Sequence, residues 1–496
     1  MKWPWTKTSK VPTSIVPKHQ NHLVKYRNGF MASAVNRLTQ SWYSQLQGPN
    51  STIQTDAPRL RGLSRYLANN DVYTARYLSL VETRVVGPDG LIFQPRVLNR
   101  KGDLDNKINA ELVAKWDAWG EIAGIAGESF LDLQQTLIRT VAQDGEVFIR
   151  LITDESVNVF GLALQILDAD LLDHQYTNAL SANGNTIVQG IEVDALGRRV
   201  AYHFWNRHPT DYRTSVPLER IRVEADEILH LYRPTRAGQL RGLPWITPAM
   251  YFLARLHEYM DAELVSAQAA ASQVATIETD ASDSTAYTSD MMQREIIEIE
   301  PGVAIRLAPG ERMTPWDQAK STDAFDPYTK IILHGVASAL NVSYSTLASD
   351  MSEDNYSSAR MSGNYEQKHF DNLQAWFPRV FHQKVYRTWL STASAMGTLD
   401  IPSFDATLLM DVVFRGMKLP SPDLLKDLRA AEVGFKNNVI SKTQWCAQQG
   451  YDYQDVLNDR YEEEKLEREY EAFLKEQGLE PVSIQNAEAV ANEEDE

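Results

Sequence analysis

The sequence predicts an α+β protein in which helical and strand-forming stretches occupy separate parts of the chain. Apolar residues recur at helical spacing through residues 60–86, whereas residues 145–205 carry the short apolar or alternating runs that are typical of strands. Two long helical patterns follow, one beginning near Pro248 and the other near Tyr356. Because the chain has 496 residues, we expect these elements to form more than one folded unit.

The composition argues against several classes of protein. A formal net charge of −17 disfavours general nucleic-acid binding, which depends on Lys and Arg side chains that neutralise phosphates. The sequence has no uninterrupted apolar run long enough to cross a bilayer, so we expect no membrane partner. Cys446 is the single cysteine, which excludes an intramolecular disulfide and a cysteine-based zinc site and fits a reducing cytoplasm.

The first 41 residues differ in character from the rest of the chain. Seven basic residues precede Asp56, the first acidic residue, and prolines interrupt the apolar pattern. These features predict an exposed basic arm, with an ordered strand or helix as the alternative, and they do not match a secretion signal.

From residue 60 onward the predicted elements alternate between helices and strands. The helical pattern of residues 60–86 ends at the turn sequence GPDG, after which residues 91–97 predict a strand. Residues 105–143 again have helical spacing. Apolar residues alternate on both sides of residues 194–198, which predicts a β-hairpin.

The stretch GQLRGLPWITPAM, residues 238–250, raises the question of a phosphate-binding loop because of its two glycines. It lacks the Lys-Ser/Thr pair of such a loop, and Pro248 removes one backbone N–H group that a phosphate would use. We interpret it as the start of a helix, with Thr247 as the N-cap and Pro248 at the first helical position. The apolar face of this helix continues to Ala271.

The next part of the chain changes from polar to helical. Residues 276–320 are polar and strand-like and include a predicted exposed loop, TDASDSTAYTSD. Residues 328–340 predict a second helix. The residues that follow, 341–355, are rich in Ser, Asn and Asp, which compete with helix formation by bonding to the backbone, so we expect a loop.

The C-terminal part is predicted to be helical. A long pattern over residues 356–390 contains Pro378, which should kink the helix. Three further helices and a disordered acidic end are predicted at residues 422–433, 442–450, 453–477 and 479–496.

Motifs for catalysis are scarce. The sequence contains none of the patterns GxxxxGK[ST], GxSxG, HExxH or GxGxxG, so we expect no enzyme and no cofactor. One cluster keeps an alternative open, since Asp168, Asp170 and His174, together with Asp173, offer oxygen and imidazole ligands that suit Mg²⁺ or Mn²⁺. In that case the protein would be a metal-dependent hydrolase, whereas acidic residues at a strand end otherwise form turns or cap helices.

Five stretches occur in a fixed order over most of the chain. They are RLRGLSRYLANNDVYTARYLSLVETRVVGPDGLIFQPRV, LQILDADLLD, GIEVDALGRRVAYHF, VEADEILHLYRPTRAGQLRGLPWITPAM and NYSSAR. In this order they resemble the signature segments of the lambda-like family of tailed-phage portal proteins. The stretch LPSPDLLKDLRAAEVGFKNNVISKTQWCAQQGYDYQDV is similar to the short C-terminal helices of that family, but it has Ser421-Pro422-Asp423 where Asp-Pro is commoner.

The resemblance implies an assembly and a fold. Portal proteins of this kind form rings, usually of twelve subunits, at one vertex of the phage head, and double-stranded DNA passes through the ring. Each subunit of this portal fold has a mixed α/β wing, a helical stem, a small strand-containing clip and an α-helical crown. The implied parts of this chain are a basic arm 1–41, wing 42–244, stem helices 245–275 and 326–342, clip 276–325, channel loop 343–355, kinked helix with return to the wing 356–419, crown 420–478 and acidic tail 479–496.

The resemblance also implies where the functional residues lie. The stem interface between subunits would contain Leu253, Leu256, Met260 and Leu264. The DNA-channel loop would contain Tyr344, Ser349, Asp350, Met351, Glu353, Asp354 and Asn355. The clip surface that meets the terminase would contain Asp280, Ser282, Asp283 and Asp290.

The implied partners are those of a packaging machine. They are double-stranded DNA held without sequence preference, the terminase large subunit, the major capsid and scaffolding proteins, and a head-completion or adaptor protein. The implied location is the head vertex of the virion, after assembly in the bacterial cytoplasm. A different head-to-tail connector is the alternative, but two long helices that flank a polar insert fit a portal better.

Overall fold

The computed structural model describes residues 47–99, 101–102, 104–178, 184–211, 216–272, 275–279, 311–315, 322–352, 354–399, 408–416, 424–449, 451 and 453–476. The chain divides into two compact units, Met1–Gly48 and Pro49–Glu496, and every element below belongs to the second. The predicted basic arm, the predicted clip loop and the acidic tail therefore lie outside the described residues.

The N-terminal helical region consists of two helices, α1 (Pro49–Asn70) and α2 (Val72–Val85). Asp71 separates them because its backbone is extended and its carboxylate accepts a hydrogen bond from the amide of Thr74 at 2.6 Å. This is N-cap geometry, so the single helical pattern of residues 60–86 is broken at its capping residue. Strand β1 (Ile92–Pro95) lies within the predicted strand.

Two helices also occupy the predicted helical region of residues 105–143. They are α3 (Asn106–Gly120) and α4 (Phe130–Asp144). A capping box formed by Ser129 and Asp132 starts α4. Gly145 ends it with a positive φ of 89°, a conformation that glycine adopts without steric cost.

The strands that follow build two antiparallel sheets. In chain order they are β2 (Glu146–Ile152), β3 (Ala163–Leu167), β4 (Thr186–Val188), β5 (Ile191–Val193), β6 (Arg199–Trp205), β7 (Arg220–Glu224) and β8 (Ile228–Tyr232). One sheet has the order β3-β2-β8 and the other the order β4-β5-β6-β7. The pairing of Ile191 with Tyr202 confirms the predicted hairpin.

The central part of the chain contains two long helices and a small sheet. Its elements are α5 (Thr247–Ser272), β9 (Ala275–Thr279), β10 (Glu311–Pro315), α6 (Thr322–Leu340) and α7 (Tyr344–Ala348). Strands β9 and β10 pair antiparallel within the predicted clip. The short helix α7 lies where the sequence predicted only a loop, and it forms because the hydroxyl of Ser343 caps it by accepting from the amide of Thr346.

The N-cap of α5 was predicted one residue too late. The carbonyl of Ile246 accepts from the amide of Met250, so Ile246 precedes the first helical residue and Pro248 is the second. The hydroxyl of Thr247 donates to the carbonyl oxygen of Pro244 at 2.6 Å.

The C-terminal part adds two long helices, one strand and a helical end. Its elements are α8 (Tyr356–Val380), α9 (His382–Ala395), β11 (Val412–Arg415), α10 (Leu424–Lys436), α11 (Lys442–Gln449) and α12 (Tyr453–Glu476). The break between α8 and α9 falls at Phe381, three residues after Pro378, where the backbone leaves helical angles. Strand β11 was not predicted, and it pairs with β1 from the far end of the chain.

The main core lies between the N-terminal helices, the inner ends of α5 and α6, and α8 with α9. Trp116 is its aromatic centre, with ring contacts to Phe93 at 5.0 Å and to Trp389 at 5.3 Å. A smaller core around Phe148 and Tyr202 fills the space between the two sheets. No helix among the described residues combines the length and apolarity that crossing a bilayer requires. The observed fold is therefore a mixed helix-and-sheet structure, as predicted.

Candidate functional site

The turn that leads into α5 contains a buried ionic centre around Glu146, the first residue of β2. The side chain of Glu146 has no exposed surface. It accepts from Arg241 Nε at 2.8 Å, from Arg61 Nη2 at 2.9 Å and from the backbone amide of Gly242 at 2.9 Å. His230 on β8 lies 3.0 Å from its second oxygen. Arg241 belongs to the GQLRG turn, so the ion pair with Glu146 links this turn, which leads into α5, to strand β2.

The charges in this centre compensate one another. Burial opposes ionisation of Glu146, but the charge of Arg241, the hydrogen bond to His230 and the charge of Arg61 hold the pKa of this carboxyl well below its usual range. Burial lowers the pKa of His230 to about 4, although Glu146 opposes that shift. We therefore describe Glu146 as ionised and His230 as neutral at pH 7.

Close backbone packing fixes the same junction. A Cβ atom added to Gly242 would lie 2.1 Å from the carbonyl oxygen of Gly145, and one added to Gly145 would lie 2.2 Å from the carbonyl carbon of Leu243. Both positions need glycine for close approach, and Gly145 also needs it for its positive φ. Gly242 is thus required by backbone packing, whereas Gly238, the other glycine of the GQLRG turn, has a positive φ of 77°.

The predicted metal cluster is not assembled as proposed. Arg65 donates to Asp144 at 2.6 Å, to Asp170 at 2.7 Å and to Asp168 at 2.9 Å, and Arg61 also pairs with Asp170. Guanidinium groups are thus bonded to the carboxylates that a divalent cation would need as ligands. His174 is not part of the cluster; among the described residues, His208 is the histidine that approaches Asp168 and Asp170.

Asp173, the fourth residue of that sequence cluster, is also engaged elsewhere. Its carboxylate accepts two hydrogen bonds from Arg220, the shorter at 2.6 Å, and is almost fully buried. The structure therefore does not bring Asp168, Asp170 and His174 together as the alternative of a metal-dependent hydrolase requires, and Arg61 and Arg65 pair with the two acids.

The outer halves of α5 and α6, residues 257–268 and 325–331, pair with each other outside the hydrophobic core of the described subunit. Tyr259 stacks on Phe325 at 5.6 Å and meets Tyr328 edge-on at 4.8 Å, which joins the two helices. None of the side chains at residues 257–268 of α5 or 325–331 of α6 is buried. At 1.5 Å per residue, the part of α5 that follows Leu256 extends for about 24 Å.

The four predicted stem-interface residues divide into two groups. Leu253 and Leu256 are fully buried in the core of the chain itself, so these two side chains have no surface to offer another subunit. Met260 and Leu264 are 40% and 57% exposed and face solvent. The helical periodicity was predicted correctly, but the apolar face of the first three turns packs within the subunit.

The predicted channel loop contains a short helix, α7. Tyr344 lies in α7, where its ring stacks on His334 at 4.4 Å and its hydroxyl donates to Asp350 at 2.9 Å. Hydrogen bonds from Ser352 and Tyr344 lower the pKa of Asp350 to about 2. Ser349 ends α7 with a positive φ of 54°.

The rest of this segment leads into α8. Met351 is 73% exposed and Asp354 is exposed, while Asn355 caps α8 by accepting from the amide of Ser358 at 2.9 Å. Glu353 and all four predicted terminase-contact residues, Asp280, Ser282, Asp283 and Asp290, lie outside the described residues.

Sequence reasoning missed the buried charges. Glu146, Arg61 and Arg241 were not singled out, although a glutamate inside the apolar run GEVFIRLI is a signal that such a residue has a buried partner. Glu366, a buried residue of α8 that lies 2.9 Å from Arg84, was also missed. It lies in a helical pattern, in which acidic residues usually face solvent.

Known proteins resemble the chain over most of its length. It is 29% identical to the "Probable portal protein" of Halomonas phage phiHAP-1 over 442 residues, which cover 86% of this chain and 85% of the relative. It is 20% identical to "Portal protein B" of Escherichia phage lambda over 501 residues, which cover 92% and 93% of the two chains.

Among solved structures, a chain of "Neck of native GTA particle computed with C12 symmetry" matches with a TM-score of 0.48 and 15% identity, over 80% of this chain and 94% of that one. The family model "Phage portal protein, lambda family" matches residues 35–374, more than half of the sequence. The chain therefore belongs to the lambda family of phage portal proteins, structural components of the head–tail connector.

Proposed function

We propose that this protein assembles into a ring of about twelve copies at one vertex of the phage head. The ring is the channel for double-stranded DNA during packaging and ejection, and it is the platform on which the terminase motor and head-completion proteins dock. The observation that carries this proposal is the pair formed by the outer halves of α5 and α6, on which Met260, Leu264, Val265 and Ile331 are exposed in the subunit.

The chemistry of this pair fits an interface between subunits. Met260, Leu264 and Val265 on α5 and Ile331 on α6 are exposed together with Tyr328. Contiguous apolar surface on helices that leave their own core marks a contact with another protein chain. When one face of a subunit binds a different face of the next copy, the contacts close into a ring.

The segment of residues 343–355 supports a DNA channel. It contains no Lys or Arg, and its described acidic residues are Asp350 and Asp354. A channel that passes any sequence should not hold phosphates, because each Lys or Arg contact adds a salt-dependent attraction that slows sliding. Repeated around a ring, these carboxylates repel the DNA backbone and keep it near the axis.

The remaining partners follow from the proposed position of the ring. The clip between α5 and α6 would contact the terminase large subunit, and the outer wing would contact the major capsid and scaffolding proteins and an adaptor. Helix α12 would belong to the crown that faces the head interior. It carries nine acidic and four basic residues, so it also repels DNA. Assembly would take place in the bacterial cytoplasm before incorporation into the virion.

The proposal is tested by disrupting the projecting pair. We expect Leu264→Asp to leave the subunit folded but to block ring formation, because a carboxylate in an apolar interface costs several kcal/mol. Leu196→Asp is the matched control, since Leu196 is 80% exposed at the tip of the β5–β6 hairpin. Mass photometry of both variants would show subunits for the first and rings for the second. Normal rings from Leu264→Asp would refute the placement of α5 at the interface.

A further inference from the structure

A buried carboxylate lies beneath the proposed channel segment. Glu366 lies about three turns into α8, and its side chain is only 2% exposed. One of its oxygens lies 2.9 Å from Arg84 Nη1 on α2, and the other accepts from the backbone amide of Ser343 at 3.0 Å. This single side chain thus joins the wing, α8 and the residue at which α7 begins.

The base of the segment is held by further contacts on the same side. Asn341 ends α6 with a positive φ of 58°, and the amide of Val342 donates to Ala337 at 3.1 Å. The carbonyl of Thr346 accepts from Arg76 Nε at 3.4 Å. Together with the bond from Tyr344 to Asp350, these contacts tie the chain to α2 and α6 as far as residue 350.

The turn that follows has a different character. The described residues here are Met351, Ser352 and Asp354, and their hydrogen bonds stay within the turn. The amide of Ser352 donates to the carboxylate of Asp350 at 3.0 Å, and the amide of Asp354 donates to the carbonyl of Met351 at 3.2 Å. The exposed side chain of Met351 is unbranched and flexible. The segment therefore consists of a base bonded to α2, α6 and α8 and an exposed turn whose described residues bond within the turn.

We propose that Glu366 is a positioning residue that sets the height of the channel segment, so that only the turn carrying Met351 and Asp354 adapts to passing DNA. This inference rests on the proposed function, which places that segment at the channel. The choice of Glu366 follows from geometry: its buried carboxylate lies beside the Arg84 guanidinium and accepts from the amide of Ser343, and a carboxylate binds a backbone amide more strongly than a neutral acceptor does.

Amide hydrogen exchange in assembled rings tests the inference directly. We expect Glu366→Gln to speed exchange of the Ser343 amide about tenfold or more, because a charge-assisted bond becomes a neutral one. The amides of Met351 and Ser352 should exchange at unchanged rates. The double variant Arg84→Gln with Glu366→Gln replaces both partners of the pair and is used if the single variant assembles poorly. Glu82→Gln is the control, since Glu82 pairs with Arg139 at 3.3 Å on the surface.

DNA packaging in a defined system is the second measurement. We expect Glu366→Gln to slow packaging at normal ring assembly, and Glu82→Gln to leave it unchanged. Unchanged exchange at Ser343 in Glu366→Gln overturns the positioning role. The positioning role also fails if Met351→Lys alters packaging while Glu366→Gln, despite faster exchange at Ser343, packages DNA normally. If neither variant alters packaging, the placement of the segment at the channel is the claim that fails.

Discussion

Replacing Glu146 with Gln tests the view that the ionic centre holds the turn before α5 against α1 and β2. The substitution keeps the shape of the side chain but removes the charge that compensates Arg61 and Arg241, which are 4% and 2% exposed. It also weakens the hydrogen bond from the amide of Gly242, which lies in the turn before α5.

The magnitude follows from what remains after the change. Removing one partner of a buried ion pair costs about 3–5 kcal/mol, because the remaining charge is left without compensation. Arg61 keeps Asp170 as a partner, whereas Arg241 keeps only carbonyl acceptors, among them that of Gln189 at 3.3 Å. We therefore expect the free energy of unfolding to fall by about 3 kcal/mol.

Urea denaturation of the unassembled subunit, followed by the fluorescence of its buried tryptophans, measures this loss. The matched control is Glu227→Gln, because Glu227 and Arg150 are nearly half exposed and lie 3.2 Å apart. An exposed pair of this kind contributes about 1 kcal/mol or less. A loss below about 1 kcal/mol in Glu146→Gln, equal to that of the control, would refute the reasoning.

Two further predictions concern the channel turn and a buried histidine. Met351→Lys combined with Asp354→Lys should slow packaging at low salt and recover at high salt with normal rings, since added cations hold phosphates; packaging that is unaffected at low salt would contradict the channel placement. Burial lowers the pKa of His382 to about 3, so as the pH falls from 6.5 toward 3 the unfolded chain binds a proton that the folded chain does not. We expect this histidine to lower the free energy of unfolding by about 1.4 kcal/mol per pH unit in that range. His382→Gln should reduce the slope in urea titrations by that amount, and the slope that remains includes the contribution of His230, whose pKa burial lowers to about 4. An identical slope in the variant would show that other groups cause it.

Local patterns in the sequence predicted most of the helices and the β5–β6 hairpin. Their determinants lie within a few residues of one another, as with the turn sequence GPDG and the apolar face of α5. The family resemblance was confirmed by the family model that matches residues 35–374. It could be predicted from the sequence because it depended on five stretches in order and not on one motif.

Features that depend on distant partners were not predicted. Strand β11 is short and pairs with β1 from the opposite end of the chain, so no local turn signal marks it. The Glu146 centre joins residues that are 85 and 95 positions apart in the sequence, in Arg61 and Arg241. Side-chain spacing alone could not show that Arg61 and Arg65 pair with Asp168 and Asp170.

The stem residues illustrate a second limit. The apolar face of α5 was predicted as one continuous interface, yet Leu253 and Leu256 pack within the subunit while Met260 and Leu264 are exposed. Helical periodicity identifies the face that will be buried, but it does not say which chain covers it. That distinction needed the position at which α5 leaves the core.

Cryo-electron microscopy of the purified, assembled protein, viewed along the ring axis, tests the central claim most directly. The account predicts a closed ring of about twelve subunits in which the outer halves of α5 and α6 pack against the neighbouring copy, with Met351 and Asp354 facing the central channel. A monomer or small oligomer at assembly concentrations would contradict it. So would a ring in which the exposed faces of α5 and α6 lie on the outer rim, in contact with solvent.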